Sequence, residues 1–200
     1  MSITARIMEN TLAYRLWMAP FAEKKFAPIL AHNDLSRVRR VLDVGCGPGT
    51  NTQHFAHVDY LGVDINSAYI EHARQRHHRN FLVADVRNYT VAPDERFDFI
   101  LLNSFLHHID TPHTLRILSH LQTLLTEDGC VHVIELVLPE RPSIPRFLAQ
   151  RDRGEFPRPL DEWRRIFGDV FETSVFEPFT LTGLRATLWE MIYFKGRAKR

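Results

Sequence analysis

Residues 41–50, VLDVGCGPGT, constrain this chain more than any other stretch. An apolar run leads directly into Gly45, Gly47 and Gly49, and then into a polar stretch where a helix is expected from about Thr50. Glycine admits positive φ and lets backbone N–H groups come close to a ligand, so a strand-to-helix turn of this composition makes a cradle for a nucleotide-like molecule. Its position adds weight, because it follows the first of several apolar runs that alternate with helical patterns.

Those runs are RVLDVG (40–45), YLGVDI (60–65), FLVADV (81–86), FDFILLN (97–103) and CVHVIEL (130–136). Each is short and nearly continuous in apolar character, as parallel strands buried on both faces are. Between the fourth and fifth, Thr111 as cap, Pro112 at the first helical position, leucines at 115, 118, 121 and 125, and Gly129 as stop predict a helix. That helix makes a right-handed crossover. FETSVFEPFTL (171–181) and TLWEMIYFKG (187–196) lie close enough to pair as an antiparallel hairpin at the edge, so the sheet is expected to be mixed.

Residues 1–34 read as a helical cap outside this core, with Leu12, Leu16, Trp17, Phe21 and Phe26 forming an apolar face. The stretch 139–167, rich in proline and arginine at its start, reads as a loop and helix on the substrate side. The expected organisation is one domain over residues 1–200, with a ligand-binding core at 38–136 and a closing hairpin at 171–196.

Composition narrows the function. A hydrophobic fraction of 44% in 200 residues suits a single core. With 25 basic against 24 acidic residues and a net charge of +1, the chain has no broad electrostatic footprint for nucleic acid. No stretch approaches the ~18–20 apolar residues of a membrane span, and the first residues lack a signal-type apolar core, so a cytoplasmic location is expected. Cys46 and Cys130 are too few for a disulfide framework. These features favour a small-molecule partner.

The loop also carries a sign of charge. A dinucleotide loop spaces its glycines GxGxxG, whereas here Thr50 stands where the third would be. Asp43, two residues before the first glycine, would repel a pyrophosphate and attract an ammonium group. S-adenosylmethionine carries an ammonium and a sulfonium. Asp64, ending the second run about 20 residues on, suits the two ribose hydroxyls. Asp85, ending the third, is placed to accept from an adenine amino group, with the Val86 N–H meeting a ring nitrogen.

Taken in order, DVGCGPG (43–49), GVDIN (62–66), ADV (84–86), FDFILLNSFLHHI (97–109) and LLTEDGCVHVIE (124–135) resemble the small class I S-adenosylmethionine-dependent methyltransferases. The resemblance covers residues 38–136 by motif and implies a Rossmann-like α/β sandwich. Its seven-stranded sheet has the order 3-2-1-4-5-7-6, with strand 7 antiparallel and helices on both faces. It implies that Asp43, Gly45, Gly47 and Gly49 hold the methionine portion of S-adenosyl-L-methionine, Asp64 the ribose, and Asp85 and Val86 the adenine, with Cys46 and Ile65 also among the cofactor-binding residues. Asn103 would flank the methionine end through its backbone. The strand-4 sequence Asn103, Ser104, Phe105, Leu106 departs from the Asn/Asp-Pro-Pro-aromatic motif of DNA and glutamine methyltransferases, which argues against nucleic-acid amino groups as acceptors.

A sulfonium is already an activated methyl donor, so positioning the acceptor supplies much of the rate. For a hydroxyl acceptor a general base helps further, and His107, His108 and Glu135 are the candidates, the choice falling on His108. The expected reaction is methyl transfer to a small organic acceptor at oxygen. The alternative is a protein of the same fold that binds the cofactor without methyl transfer, as a cyclase or a scaffold. The spacing of His107, His108, Asp110 and His113 fixes no ligand geometry, and no metal is expected. Arg141, Arg146, Arg151, Arg153 and Arg158 are candidates to hold an anionic acceptor.

Overall fold

In the second of the chain's two compact units (residues 1–33 and 34–200), seven strands form one sheet. The computed structural model describes residues 21–152, 154–183 and 186–199. The sequence reading has one domain with residues 1–34 as its cap; the contacts divide the chain near the same position. In the first unit, helix α1 (Ala22–His32) carries Pro28 inside it and buries Phe26 and Ile29. Asn33 Nδ2 donates to the Ile29 carbonyl at 2.7 Å, satisfying one terminal acceptor. Phe21 is buried too, while Leu12, Leu16 and Trp17 lie outside the described residues.

The second unit contains β1 (Arg40–Val44), β2 (Asp59–Asp64), β3 (Asn80–Val83), β4 (Phe97–Asn103), β5 (Leu125–Leu136), β6 (Phe171–Gly183) and β7 (Ala186–Ala198). Their order is β3-β2-β1-β4-β5-β7-β6, with β3 to β5 parallel to their neighbours in the first half and β7 antiparallel to both β5 and β6. Its helices are α2 (Ser67–Arg76), α3 (Thr111–Thr123), α4 (Ile144–Arg151) and α5 (Leu160–Val170).

The strands' two-residue period divides the interior into two chemically different faces. Leu42 and Val44 of β1, Ile100 and Leu102 of β4, Val131 and Val133 of β5 and Ile192 and Phe194 of β7 form an aliphatic core with Ile117, Leu118 and Leu121 of α3 and Trp163, Ile166 and Phe167 of α5. Phe55, Phe99, His132 and Tyr193 form an aromatic ladder. In it the His132 ring stacks on Phe99 at 3.7 Å, and burial drives its pKa far down, so it is a neutral packing group whose Nδ1 lies 3.0 Å from the Tyr193 hydroxyl.

Three local expectations are corrected. A helix after the glycine loop shrinks to a 3₁₀ turn, Thr52–Phe55. Five residues of β1 advance roughly 16 Å, which an α-helix needs about 11 residues to retrace. Only residues 50–58 are available, and part of that length goes into turns, so the chain uses the longer rise of a 3₁₀ turn. Helix α3 is capped by Asp110, whose carboxylate accepts the His113 N–H at 2.9 Å, so Thr111 is its first residue rather than its cap. Gly129 does not close α3 either, because the helix stops at Thr123 and β5 begins at Leu125, with a register shift against Phe97/Phe99.

Candidate active site

The parallel strands β3, β2, β1 and β4 end side by side, and the predicted ligand residues sit at those ends, where open α/β sheets bind ligands. Gly45, Gly47 and Gly49 have φ of +66°, +53° and +80°, the left-handed region that glycine enters without steric cost. A Cβ on Gly45 would run into the Phe105 ring, whereas one on Gly47 would meet nothing within 4 Å. Gly45 is therefore required by packing, and Gly47 leaves room for another molecule. Asp64 braces this turn: one carboxylate oxygen accepts from Gly47 N at 3.0 Å and the other from Asn66 N at 2.8 Å.

Beneath the loop lies a polar chain of four residues, of which the sequence reading found two, Asp43 and Asn103. Asp43 is fully buried. Its oxygens accept from Tyr60 OH at 2.7 Å and from Asn51 Nδ2 at 3.1 and 3.3 Å, and Asn51 Oδ1 in turn accepts from Asn103 Nδ2 at 2.9 Å. Burial pushes the Asp43 carboxyl up to about 6, despite the Tyr60 and Asn51 hydrogen bonds, and the nearby Asp64 charge adds to the rise. No cation among the described residues pairs with it in an ion bridge. Asn103 Oδ1 is buried without a hydrogen-bond partner among those residues. Tyr60 and Asn51 escaped the sequence reading because neither belongs to the glycine motif; the polar Tyr60 inside an apolar run was the available signal.

Around these groups the surface is apolar. Ile65 is 76% exposed beside Asp64, and Leu82 and Val83 of β3 are also exposed. Asp85 caps the turn Val86–Asn88 and is gripped by Arg87, with Nε at 2.9 and 3.0 Å and Nη2 at 2.5 Å. The Arg87 hydrogen bond holds the Asp85 carboxyl below its usual range. Its acceptor capacity is thus shared with a residue the sequence reading did not single out. The Val86 side chain is buried in the core, leaving its backbone as the part that can face a ligand. Cys46 is buried, and desolvation pushes its thiol far up, so it packs as a small neutral group.

The catalytic candidates are arranged differently from the expectation. His108 is exposed, while His107 is buried between two carboxylates, with Nδ1 2.7 Å from Glu135 Oε2 and Nε2 3.0 Å from Asp152 Oδ2. Burial alone would depress the His107 pKa, but Glu135 and Asp152 raise it to about 9. Both ring nitrogens then donate, and no lone pair is left to take a proton. Glu135, fully buried, also accepts from the Phe105 N–H at 2.7 Å and the Leu106 N–H at 2.5 Å. Burial would raise its pKa; the His107 charge and these donors lower it. His107 and Glu135, two of the candidate bases, are thus engaged by each other and by buried partners at the end of β4. Asp152, the third member, was not singled out as a candidate site residue in the sequence.

The arginines divide similarly. Arg158 is 3% exposed and donates to the carbonyls of Leu106 and Ile109 at 3.1 and 2.6 Å, so it is part of the scaffold. Arg146 donates to the Pro139 carbonyl, and Arg151 stacks over Phe147 at 4.4 Å. Arg141 and Arg151 are at the surface, and Arg153 lies outside the described residues. No group of three or more His, Cys, Asp or Glu residues among the described ones is placed to hold a metal ion. His113 Nδ1 instead contacts Asp110 at 2.7 Å.

A family profile described as "Methyltransferase domain" matches residues 41–129, the span from the glycine loop to β5. That span carries a methyltransferase domain, and the seven-stranded sheet around it has the Rossmann-like order of methyltransferase folds. The cofactor of such domains is S-adenosylmethionine. The chain is 31% identical over 145 residues to a trans-aconitate 2-methyltransferase of Delftia acidovorans, covering 64% of this chain and 54% of that one. It is 26% identical over 188 residues to a trans-aconitate 2-methyltransferase of Shigella dysenteriae, covering 90% and 71%. It thus spans just over half the length of the first relative and about seven-tenths of the second. A crystal structure of an S-adenosylmethionine-dependent methyltransferase from Methanosarcina mazei shares the fold, with a TM-score of 0.70 at 20% identity, covering 86% of this chain and 98% of that one. No helix among its described residues is long and apolar enough to cross a membrane.

Proposed function

We propose that this methyltransferase transfers the methyl group of S-adenosylmethionine to a carboxylate oxygen of a small organic acid. The observation that carries this reading is the state of His107 and Glu135: joined to each other and to Asp152, two of the three candidate bases are taken up, which leaves His108 alone as the base for a hydroxyl acceptor. A carboxylate needs none, because it already carries the lone pair that forms the new bond. The trans-aconitate named for the relatives is the anion of an organic acid, in keeping with this chemistry.

Bound S-adenosylmethionine supplies an activated methyl on a sulfonium. The residues fit such a group: among the described residues, a buried carboxylate at Asp43 without a cation, an unpartnered acceptor at Asn103 Oδ1 and open space at Gly47. In this reading Asp43 draws the ammonium electrostatically from beneath the loop, with Asn51 and Tyr60 holding it in place. Gly45, Gly47 and Gly49 bring the backbone close to the methionine portion, Cys46 packs under it, and Asn103 borders it. Asp64 keeps the loop shaped while bordering the ribose. Ile65, Leu82 and Val83 offer an apolar shelf, with Asp85 and the Val86 backbone at its edge for the adenine. Arg141 and Arg151 are the surface cations available to an anionic acceptor.

The test is to incubate the protein with S-adenosylmethionine and a panel of di- and tricarboxylic acids including trans-aconitate, alongside phenols and amines, measuring the demethylated product. Turnover with acids, giving a base-labile methyl ester, is the expected result. Turnover confined to phenols or amines would overturn the acceptor class. Cofactor binding without turnover of any acceptor would favour the alternative of a cofactor-binding protein that transfers no methyl.

A further inference from the structure

The chain that joins β5 to α5 is wrapped around His107. Asp152 Oδ2 lies 3.0 Å from His107 Nε2, the Phe156 N–H donates to the His107 carbonyl at 2.9 Å, and a Cβ at Gly154 would collide with the His107 ring. Arg158 then donates to the carbonyls of Leu106 and Ile109 on either side of the 3₁₀ turn Leu106–His108. The Leu138 N–H donates to the Arg158 carbonyl at 2.8 Å, closing the segment on itself beside β5. Helix α4, with Phe147 and Arg151 exposed, is carried by this segment and ends one residue before Asp152.

We propose that His107 and Asp152 are positioning residues whose contact holds the β5-to-α5 segment against the end of β4, and thereby sets acceptor binding without acting on the cofactor. The proposal rests on the reading that the acceptor lies over the ends of β4 and β5. It assigns a role to a histidine that the chemistry does not use and to an aspartate that no motif marks.

The two carboxylates facing His107 are unequal. Glu135 is fixed by the N–H groups of Phe105 and Leu106 and lies inside the sheet, whereas Asp152 comes from the segment and is held to the turn through the imidazolium. A doubly protonated ring satisfies both. A neutral ring has one donor, and Glu135, the more rigidly placed acceptor, keeps it. Losing the proton therefore releases Asp152. The other titratable or charged groups around the pair, among the described residues, are His108, whose ring centroid lies 4.2 Å from that of His107, and Arg158, whose charge acts on Glu135. Two carboxylates outweigh them, and His107 stays protonated up to about pH 9.

The test compares the wild type with Asp152→Asn by hydrogen exchange at Phe156 and Leu138, by titration with S-adenosylmethionine and by acceptor kinetics. Asp152→Asn is expected to speed exchange at both amides and to raise acceptor KM about tenfold, the loss of one charge-assisted hydrogen bond, with cofactor affinity within about twofold of wild type. In the wild type, exchange corrected for its intrinsic pH dependence rises above about pH 9, and Asp152→Asn removes that rise. Gly154→Ala, which leaves both charges in place and wedges the segment off the ring, is expected to raise KM and exchange in the same sense. Unchanged exchange at Phe156 in folded Asp152→Asn would overturn the proposal, as would a fall in cofactor affinity matching the rise in KM. If no acid is turned over, the acceptor reading fails while the exchange experiment still decides whether the pair holds the segment.

Discussion

Two buried clusters of charge lie at the C-terminal edge of the sheet, and they are built on opposite principles. Around His107, one cation sits between the carboxylates of Glu135 and Asp152, each close enough for a hydrogen bond, and the set shifts so that every member keeps its charge. Around Asp43, a carboxylate is fully buried and, among the described residues, meets only neutral donors, Tyr60 and Asn51, and its pKa rises to about 6. A self-compensated cluster serves the scaffold. A carboxylate buried with no cation is costly in the isolated chain, and that cost is recovered when a positive ligand arrives. The contrast separates scaffold from proposed cofactor site more sharply than residue type does, since both clusters contain groups that look catalytic.

His107→Ala should show the largest effect. It leaves two buried carboxylates without their shared donor, and removing one partner from such a set costs about 3–5 kcal/mol. Urea unfolding should register the loss. The signs can be followed with pH. The raised pKa of His107 contributes stability in full below its ordinary value of about 6.5, and that contribution is lost as pH rises through about 9. If unfolding of the wild type shows no alkaline loss that His107→Ala removes, the cluster is not compensated as described.

Asp43→Asn should behave in the opposite way. Because the folded pKa is raised, ionisation of Asp43 opposes folding: the favourable contribution is complete below pH ~4 and disappears as pH rises through about 6. Removing the charge should therefore leave stability at neutral pH unchanged or higher, while titration shows S-adenosylmethionine affinity at least about tenfold weaker. Wild-type affinity should itself fall as pH drops below about 6. A variant that loses stability and keeps its affinity would place Asp43 with the scaffold and end the contrast.

Tyr60→Phe is the finest adjustment. It deletes one donor at 2.7 Å from the Asp43 carboxylate, worth about 1 kcal/mol, and should move the acid limb of cofactor affinity upward by roughly 0.5–1 pH unit. A downward shift would mean that the hydroxyl does not stabilise the anion.

The fold was legible where one period or one residue type decides the outcome. Five short apolar runs marked β1 to β5, and three glycines at alternate positions marked a turn in which all three have positive φ. Asp64 was legible because it ends a strand in register with the loop it braces. Lengths were read less well. The helix expected after Thr50 became a 3₁₀ turn, since the distance to be retraced depends on the strand beside it and not on local propensity. His107 and His108 are indistinguishable in a sequence, and the one favoured as base is exposed while its neighbour is clamped.

By itself, then, the sequence determined the alternation of strands and helices, the glycine turn and the acidic residues at the strand ends, because each depends on backbone conformation or on spacing within a few residues. The tertiary structure decided what each charged group is paired with. Glu135 lies 28 positions from His107, and Asp152 lies beyond another helix; only the parallel register of β4 with β5 and the path of the following segment bring the three together. An ionisable group's chemistry depends on its neighbours within a few ångströms, and those neighbours are set by packing across the sheet rather than by order along the chain.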